Sequence, residues 1–274
     1  MAIITIAREL GTNGTEVAEI LAERLSAQLI DKEMLEKLFK EQGGDLGIFN
    51  RYDEKKPGIF SVFSADQDIY LQMLKLAMYT QMQKGPAVLL GRAGNILMED
   101  MPNCLRIRLI AEKSFRVAAL KDKLNCSEEK AEKMIEQSDR ERKGFCKYHF
   151  DTKWTDATRY DLILNSKKCS AKQIADIIER ALHDLVTPEK DAAGTQMLKD
   201  KLLGQKILNE ILIIRQIGIQ FLEVQVLDSV VTLEGITSSD GIKKEISCFV
   251  EKMPGVKQVQ NEIQVVHDIP LRRM

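Results

Sequence analysis

The feature that most constrains the fold is an alternation of short apolar runs with helical patterns over residues 1–186. The apolar runs are typical of buried strands, and between them apolar side chains recur every three or four residues. This alternation predicts an α/β fold, with a doubly wound parallel sheet covered by helices on both faces. The predicted strands are Ala2–Ile6, Gln28–Ile30, Pro86–Leu90, Leu105–Ala111 and Tyr160–Asn165.

The pattern changes after residue 186. The stretch TPEKDAAGT (187–195) is typical of a linker, and an amphipathic helix is predicted over Met197–Ile217. A hairpin turning at Asp228–Ser229, a helix over Asp240–Lys252 and a last strand follow. We therefore predict a domain at 1–186, a linker at 187–196 and a small α+β domain at 197–268. Residues 41–65 interrupt the alternation, and their aromatic content predicts an ordered loop or insertion.

Composition restricts the partners of the chain. The formal net charge is −1, so no global basic excess indicates nucleic-acid binding. No apolar run approaches the ~20 residues of a membrane helix, and the first residues read as a strand rather than as a signal peptide. The five cysteines form no CxxC pair. We expect a cytoplasmic protein with reduced thiols and no membrane span.

A glycine-containing turn, ARELGTNGTEVA, joins the first predicted strand to the first predicted helix. Gly11 and Gly14 supply a permissive backbone, Asn13 tolerates left-handed geometry, and the Thr15 hydroxyl stands where a phosphate loop holds Mg²⁺. Gly14 occupies the usual place of the loop lysine, and the nearest cation is Arg8. Spacing alone favours a turn that binds nothing, because such turns are common in α/β folds.

Six segments, in the same order, resemble the cytidylate kinase-like family of nucleoside monophosphate kinases, and together they span residues 1–186. They are ARELGTNGTEVA, LIDKEML, RYDEKKPGIF, AVLLGRAGNIL, LRIRLIAEKSFRV and DRERKGFCKYHFDTKWTDATRYDLILNS. That family also lacks the loop lysine and carries an arginine in the first half of the loop. The chain departs from it at Asn13, where glycine is usual, and at Leu10, where tyrosine is usual.

The resemblance implies a P-loop kinase that uses ATP and Mg²⁺. The donor nucleotide would bind the turn, the metal would lie near Thr15, and Arg8 would partly replace the lysine. The nucleotide-binding residues implied are Gly11, Thr12, Asn13, Gly14 and Thr15.

Four further residues are implied at the acceptor and lid. Arg92, in a Gly-Arg-Ala sequence where cytidylate kinases have Gly-Arg-Asp, would bind the acceptor phosphate. Asp31 would lie at the acceptor end, although it is equally suited to cap the helix that follows it. Arg140 and Arg142 would close over ATP from a lid, although a charged helix of this kind is more often a solvated face.

The last segment, DSVVTLEGITSSDGIKKEISCFVEKMPGVKQVQNEIQVV, resembles a BON domain. Its alternating valines predict a core and its glycines predict turns. It contains no acid/base pair or metal set, so we interpret it as an interaction or regulatory module for a protein or small ligand.

Three hypotheses follow. In the first, the chain is an ATP-dependent nucleoside monophosphate kinase, with CMP or dCMP as the expected acceptor. In the second, it is a catalytically inactive nucleotide sensor that acts through the C-terminal module, as the missing lysine and the missing Asp after Arg92 suggest. In the third, it is a scaffold with neither activity.

Overall fold

The computed structural model describes residues 2–54 and 65–266. These residues form two compact units. The first unit contains residues 2–54 and 84–194, and the second unit contains residues 65–83 and 195–266. A segment from the middle of the kinase-like sequence therefore folds with the C-terminal residues.

The first unit is built on a five-stranded sheet whose strands are β1 (Ile3–Arg8), β2 (Gln28–Ile30), β3 (Ala87–Leu90), β4 (Cys104–Ile110) and β5 (Leu162–Asn165). All neighbouring strands are parallel, and their order is β2-β3-β1-β4-β5. This sheet confirms the predicted doubly wound α/β fold. Its helices are α1 (Gly14–Arg24), α2 (Lys32–Glu41), α3 (Leu46–Tyr52), α5 (Gly94–Leu97), α6 (Lys113–Leu124), α7 (Glu128–Phe150) and α8 (Ala171–Leu185), with a 3-10 turn at Ala157–Arg159.

The main core of the first unit lies between the central strands and helices α1 and α8. Alternate residues of β1, such as Ile4 and Ile6, pack with Val17 and Leu21 of α1 and with Ile178 of α8. Each of these side chains is at most 1% exposed. Helix α8 starts at a capping box, in which the Ser170 side chain accepts from the Gln173 amide and the Gln173 side chain accepts from the Ser170 amide. This buried packing therefore fixes the positions of the carboxyl ends of β1 and β3.

The second unit combines helix α4 (Ala65–Met82) with the C-terminal residues. These form α9 (Pro188–Asn209, whose first residues lie in the first unit), a π-helical turn (Glu210–Ile214), β6 (Gln220–Leu227), β7 (Val230–Thr237), α10 (Asp240–Val250), β8 (Gln258–Asn261) and β9 (Gln264–Val265). Its core includes Ile207, Val231, Leu233, Ile246 and Val250. Gln205 donates from Nε2 to Gln72 Oε1 at 2.9 Å and so joins α9 to α4.

Three segments differ from the sequence expectations. The region 41–65, predicted as a loop or insertion, contains α3, because Asp45 caps the Gly47 amide; residues 55–64 lie outside the described residues. The predicted linker is helical from Pro188 onwards, since proline is favoured at the first helical position and the Thr187 carbonyl accepts from the Asp191 amide. The exact boundary between the two domains stays a prediction.

The last predicted strand is divided into β8 and β9. Asn261 causes the break, because its Oδ1 accepts from the Ile263 amide at 3.1 Å and turns the backbone locally. Both short strands pair in parallel with β7.

Across residues 2–54 and 65–266, no helix has the length and the apolar content that crossing a membrane requires.

Candidate active site

The carbonyl groups of the glycine turn between β1 and α1 are held by the surrounding protein. The Thr12 hydroxyl donates to the Glu9 carbonyl at 2.7 Å, and Ser166 Oγ donates to the Thr12 carbonyl at 2.9 Å. Arg116 Nε donates to the Leu10 carbonyl at 2.8 Å. The first-turn amides of α1 have no acceptor inside the helix. A loop whose carbonyls are engaged elsewhere, followed by a helix N-terminus, is suited to binding phosphate.

Two residues give this turn its shape. Gly11 has a φ of 89° and Asn13 a φ of 55°, and α1 begins directly afterwards at Gly14. Asparagine enters the left-handed region more readily than most residues, so Asn13 takes this conformation in place of a glycine. Thr15 lies in the first turn of α1 with its side chain exposed.

Arg116, in α6, connects the glycine turn to helix α7. Its guanidinium donates to both carboxylate oxygens of Asp139, at 2.8 and 3.0 Å, and lies 3.4 Å from Glu9 Oε2. A Cβ on Gly11 would lie 2.7 Å from the Arg116 carbonyl oxygen. Gly11 therefore allows α6 to approach the turn. No role for Arg116 was predicted from the sequence.

A second left-handed turn follows β3. Gly91, Arg92 and Ala93 have φ values of 83°, 51° and 53°. The Gly91 amide donates to the Ile6 carbonyl and the Gly94 amide to the Gly91 carbonyl, both at 3.0 Å. The Arg92 amide between them donates to Glu54 Oε1 at 2.9 Å, so a carboxylate lies against this turn.

The Arg92 side chain is buried and held by a second carboxylate. Its Nε and Nη2 donate to the two oxygens of Asp53 at 2.9 and 2.8 Å, and Nη1 donates to the Leu90 carbonyl at 3.0 Å. The side chain is 3% exposed. Arg92 lies at the carboxyl end of β3, as predicted, and the structure shows it fixing the turn. Its role toward an acceptor phosphate stays a prediction.

Glu54 is surrounded by positive charge. Arg8 Nη1 donates to its Oε1 at 3.0 Å, and Arg142 Nε lies 3.5 Å from its Oε2. Burial by itself would raise the pKa of the Glu54 carboxyl, but the charges of Arg8, Arg92 and Arg142 outweigh it and hold the pKa well below the usual range. Glu54 is therefore an anion at neutral pH.

Arg8, Glu54 and Arg142 line a small cleft, together with the backbone at Gly91 and Ala93. Phe145, Cys146 and Trp154 form its apolar side, and Asn95 supplies a buried amide. Burial raises the pKa of the Cys146 thiol to about 12. The thiol therefore stays protonated, and the cleft is lined by arginines rather than by a nucleophile.

The structure brings together three of the four arginines that the sequence singled out. Arg8, Arg92 and Arg142 meet at Glu54, whereas Arg140 lies exposed on α7. Asp31 caps α2, because its Oδ1 accepts from the Met34 amide at 3.0 Å. Its role at the acceptor end stays a prediction.

Two carboxylates of the site were missed. Asp53 and Glu54 stand in the quoted segment RYDEKKPGIF, but the sequence analysis gave them no role. The available signal was an acidic pair within a segment that resembles the family. That signal does not identify the arginines that the two carboxylates contact in the folded protein.

The sheet order, the open glycine turn after β1 and the basic residues at the ends of β1 and β3 define a P-loop kinase-like protein. The chain belongs to the cytidylate kinase-like family, whose model matches residues 3–168. A second match, to the BON domain, covers residues 199–267.

Similarity to individual proteins covers about two thirds of the chain. A cytidylate kinase of Methanococcus vannielii is 30% identical over 188 residues, which are 66% of this chain and 99% of that protein. A cytidylate kinase of Methanosarcina barkeri is 26% identical over 190 residues, which are 68% of this chain and 99% of that protein. The crystal structure of an uncharacterized protein from Eubacterium ventriosum matches with a TM-score of 0.53 and 25% identity, over 67% of this chain and 98% of that one.

Proposed function

We propose that this protein transfers a phosphoryl group from ATP to a nucleoside monophosphate, with CMP or dCMP as the acceptor. The observation that carries the proposal is the glycine turn after β1, beside a cleft at the end of the neighbouring strand β3 that Arg8 and Arg142 line. Ligands of open α/β sheets bind at the carboxyl ends of the strands. The similarity to cytidylate kinases supports the same reaction.

The donor side is the glycine turn. Its amides, from Gly11 to Thr15, would hold the phosphates of ATP, with Thr12 fixing the loop and Asn13 and Gly14 shaping it. Mg²⁺ would arrive with the nucleotide, bind beside the exposed Thr15 hydroxyl and neutralise charge on the phosphates. No group of three or more His, Cys, Asp or Glu side chains able to hold a metal occurs in the described parts of the chain, so the phosphates would supply most ligands.

The acceptor side is the cleft beside β3. Arg8 and Arg142 would face the transferred phosphoryl group, and Arg92 would hold the acceptor phosphate or keep its turn in shape. Arg140 would join only if α7 moves over the bound nucleotide, and Asp31 would contact the acceptor from the end of β2. Phosphoryl transfer depends mainly on positioning and on positive charge around the moving group, and exclusion of water would prevent hydrolysis of ATP.

The test is ADP formation from ATP and Mg²⁺ by the full chain, with CMP, dCMP, UMP, AMP and GMP offered separately. We expect acceptor-dependent turnover, fastest with CMP or dCMP. Arg8→Lys keeps the charge but loses the planar donor pair, and we expect it to lower kcat about a hundredfold, the low end of the effect of losing one donor to a transition-state charge. ADP formation that is absent with every acceptor would refute the proposal.

The runner-up is a catalytically inactive nucleotide sensor that acts through the BON domain. Two observations favour it: Gly14 stands where the loop lysine is usual, and the Arg92 guanidinium is held by Asp53. It predicts nucleotide binding, measured by calorimetry, without any product. In either case we propose that the BON domain is an interaction or regulatory module for a protein or small ligand.

A further inference from the structure

We propose that the Glu54 carboxylate occupies the seat of a substrate phosphate group and competes with it for binding. The seat is the position enclosed by the Arg8 and Arg142 guanidinium groups and the Arg92 backbone N–H. The inference rests on the proposed function, because it concerns the regulation of that site. A phosphate-bearing substrate would bind only when the carboxylate leaves the seat.

The contacts of Glu54 are those of a bound anion. Its Oε1 accepts from Arg8 Nη1 at 3.0 Å and from the Arg92 amide at 2.9 Å, and its Oε2 lies 3.3 Å from Arg8 Nη1. The carboxylate therefore meets a guanidinium donor and a backbone donor at the ends of two neighbouring strands. Phosphate oxygens accept hydrogen bonds from the same kinds of donor.

The carboxylate leaves one donor unsatisfied. Arg142 Nε is buried without a hydrogen bond and lies 3.5 Å from Glu54 Oε2, beyond good hydrogen-bonding distance. The same guanidinium donates from Nη1 to Ser138 Oγ, which holds it in place. A carboxylate has two oxygens, whereas a phosphate monoester presents three. The third oxygen would give Arg142 Nε the acceptor that it lacks.

The charge of the seat also fits a phosphate better than a carboxylate. Asp53 neutralises Arg92, which leaves Arg8 and Arg142 facing Glu54. Two positive charges and one negative charge give the seat, with Glu54 in it, a net charge of +1. A phosphate monoester carries a charge of about −1.5 to −2 at pH 7 and would balance both arginines.

Gly91 makes room for the anion. A Cβ on Gly91 would lie 2.1 Å from Glu54 Oε1 and 2.2 Å from Arg8 Nη1. The glycine therefore lets the Glu54 carboxylate and the Arg8 guanidinium lie directly against the backbone at the end of β3, where both line the cleft.

The experiment removes the charge of Glu54 and measures binding rather than turnover. Glu54→Gln keeps the size of the side chain, but its amide NH2 would face guanidinium donors, so we expect it to leave the seat. Inorganic phosphate, CMP, cytidine and MgATP are titrated separately into the full chain by calorimetry. Glu19→Gln is the matched control, because Glu19 is exposed on α1 and the change in charge and shape is the same.

We expect Glu54→Gln to bind inorganic phosphate on the order of tenfold more tightly than wild type. In wild type Glu54 occupies the seat most of the time, and the apparent affinity for phosphate falls with the fraction of molecules whose seat is empty. CMP should gain similarly if the seat holds the acceptor phosphate, and MgATP should gain instead if it holds a donor phosphate. Cytidine, which has no phosphate, should not gain, and Glu19→Gln should match wild type. Phosphate should also raise the Tm of Glu54→Gln more than that of wild type, which shows that the variant is folded.

Phosphate binding by Glu54→Gln that is absent, equal to wild type or weaker would overturn the inference, as would an equal gain for cytidine. The two proposals fail differently. Tighter phosphate binding by Glu54→Gln, without ADP formation with any acceptor, would refute the kinase activity and support the competition between Glu54 and phosphate. Unchanged phosphate affinity in a protein that forms ADP would refute the competition and support the kinase activity.

Discussion

The buried pair of Arg92 and Asp53 should contribute strongly to stability. Replacing Arg92 with Ala removes the guanidinium that both Asp53 oxygens accept from, and we expect a loss of about 3–5 kcal/mol in the free energy of unfolding. The loss should be large because both side chains of the pair are buried, 3% and 7% exposed. Urea denaturation provides the measurement.

A second pair supplies the control for this prediction. Arg106 also donates two hydrogen bonds to one carboxylate, Asp161, but these side chains are 17% and 27% exposed. Arg106→Ala should therefore cost about 1 kcal/mol or less, as for pairs near the surface. Equal losses for the two substitutions would show that burial does not set the strength of the Arg92 pair.

Glu54 should make stability depend on pH. Its native pKa lies below the unfolded value of about 4.3, so the native state binds fewer protons, and the contribution of the carboxylate is complete above that pH. As pH falls below about 4.3, this contribution is lost. We therefore expect Glu54→Gln to be less stable than wild type at pH 7, and the difference in Tm to shrink between pH 5 and pH 3. A constant difference across this range, or the same behaviour in Glu19→Gln, would contradict the prediction.

The glycine turn after β1 should tolerate no side chain at its first glycine. Gly11→Ala combines a left-handed φ of 89° with a contact of 2.7 Å to the Arg116 carbonyl. Gly43 has a similar φ of 81°, but nothing lies within 4 Å of an added Cβ. Gly43→Ala should cost only the backbone term of about 1–2 kcal/mol, whereas Gly11→Ala should cost more and weaken ATP binding. Thermal denaturation and ATP titration of both variants test this, and equal losses in stability would refute the steric argument.

Periodicity predicted the main elements because it is a local property of the sequence. β2 has its predicted bounds, and β3 ends at its predicted residue and begins one residue later than predicted. Helix α3 and the first turns of α9 were missed because short helices that start at Asp45 and Pro188 depend on caps rather than on an apolar face. The strand after Val256 was divided because the side chain of Asn261 competes with the ladder.

The candidate site was predictable only where a residue type alone suggests its chemistry. Arg8 and Arg92 stood out because arginines follow apolar strands, and the structure places Arg8 in the lining of the cleft and buries Arg92 against Asp53. Glu54 and Arg116 did not stand out, because their partners are distant in sequence: Glu54 is 46 residues from Arg8, and Arg116 is 106 residues from Leu10. Such contacts follow from the strand order, which a single sequence does not reveal.

The two units should unfold together, because the chain passes between them three times. Helix α4 belongs to the second unit, although it lies between β2 and β3 of the first sheet in the sequence. Its bond from Gln72 to Gln205 spans 133 residues, most of which fold into the first unit. A folded first unit shortens the loop that this contact must close, so each unit stabilises the other.

A substitution in the core of the second unit should therefore be detected in the first. Leu233 is fully buried in β7, and Leu233→Ala should cost about 2–5 kcal/mol. Trp154 is the single tryptophan of the chain and lies in the first unit, so its fluorescence reports on that unit alone. We expect Leu233→Ala to lower the Tm measured by Trp154 fluorescence, while Leu227→Ala, at a side chain 75% exposed, leaves it unchanged. Independent unfolding of the units would keep the Trp154 transition at the wild-type temperature, while calorimetry would show a separate transition at a lower temperature. In that case, the stability of the BON domain would not be coupled through α4 to the stability of the kinase-like unit.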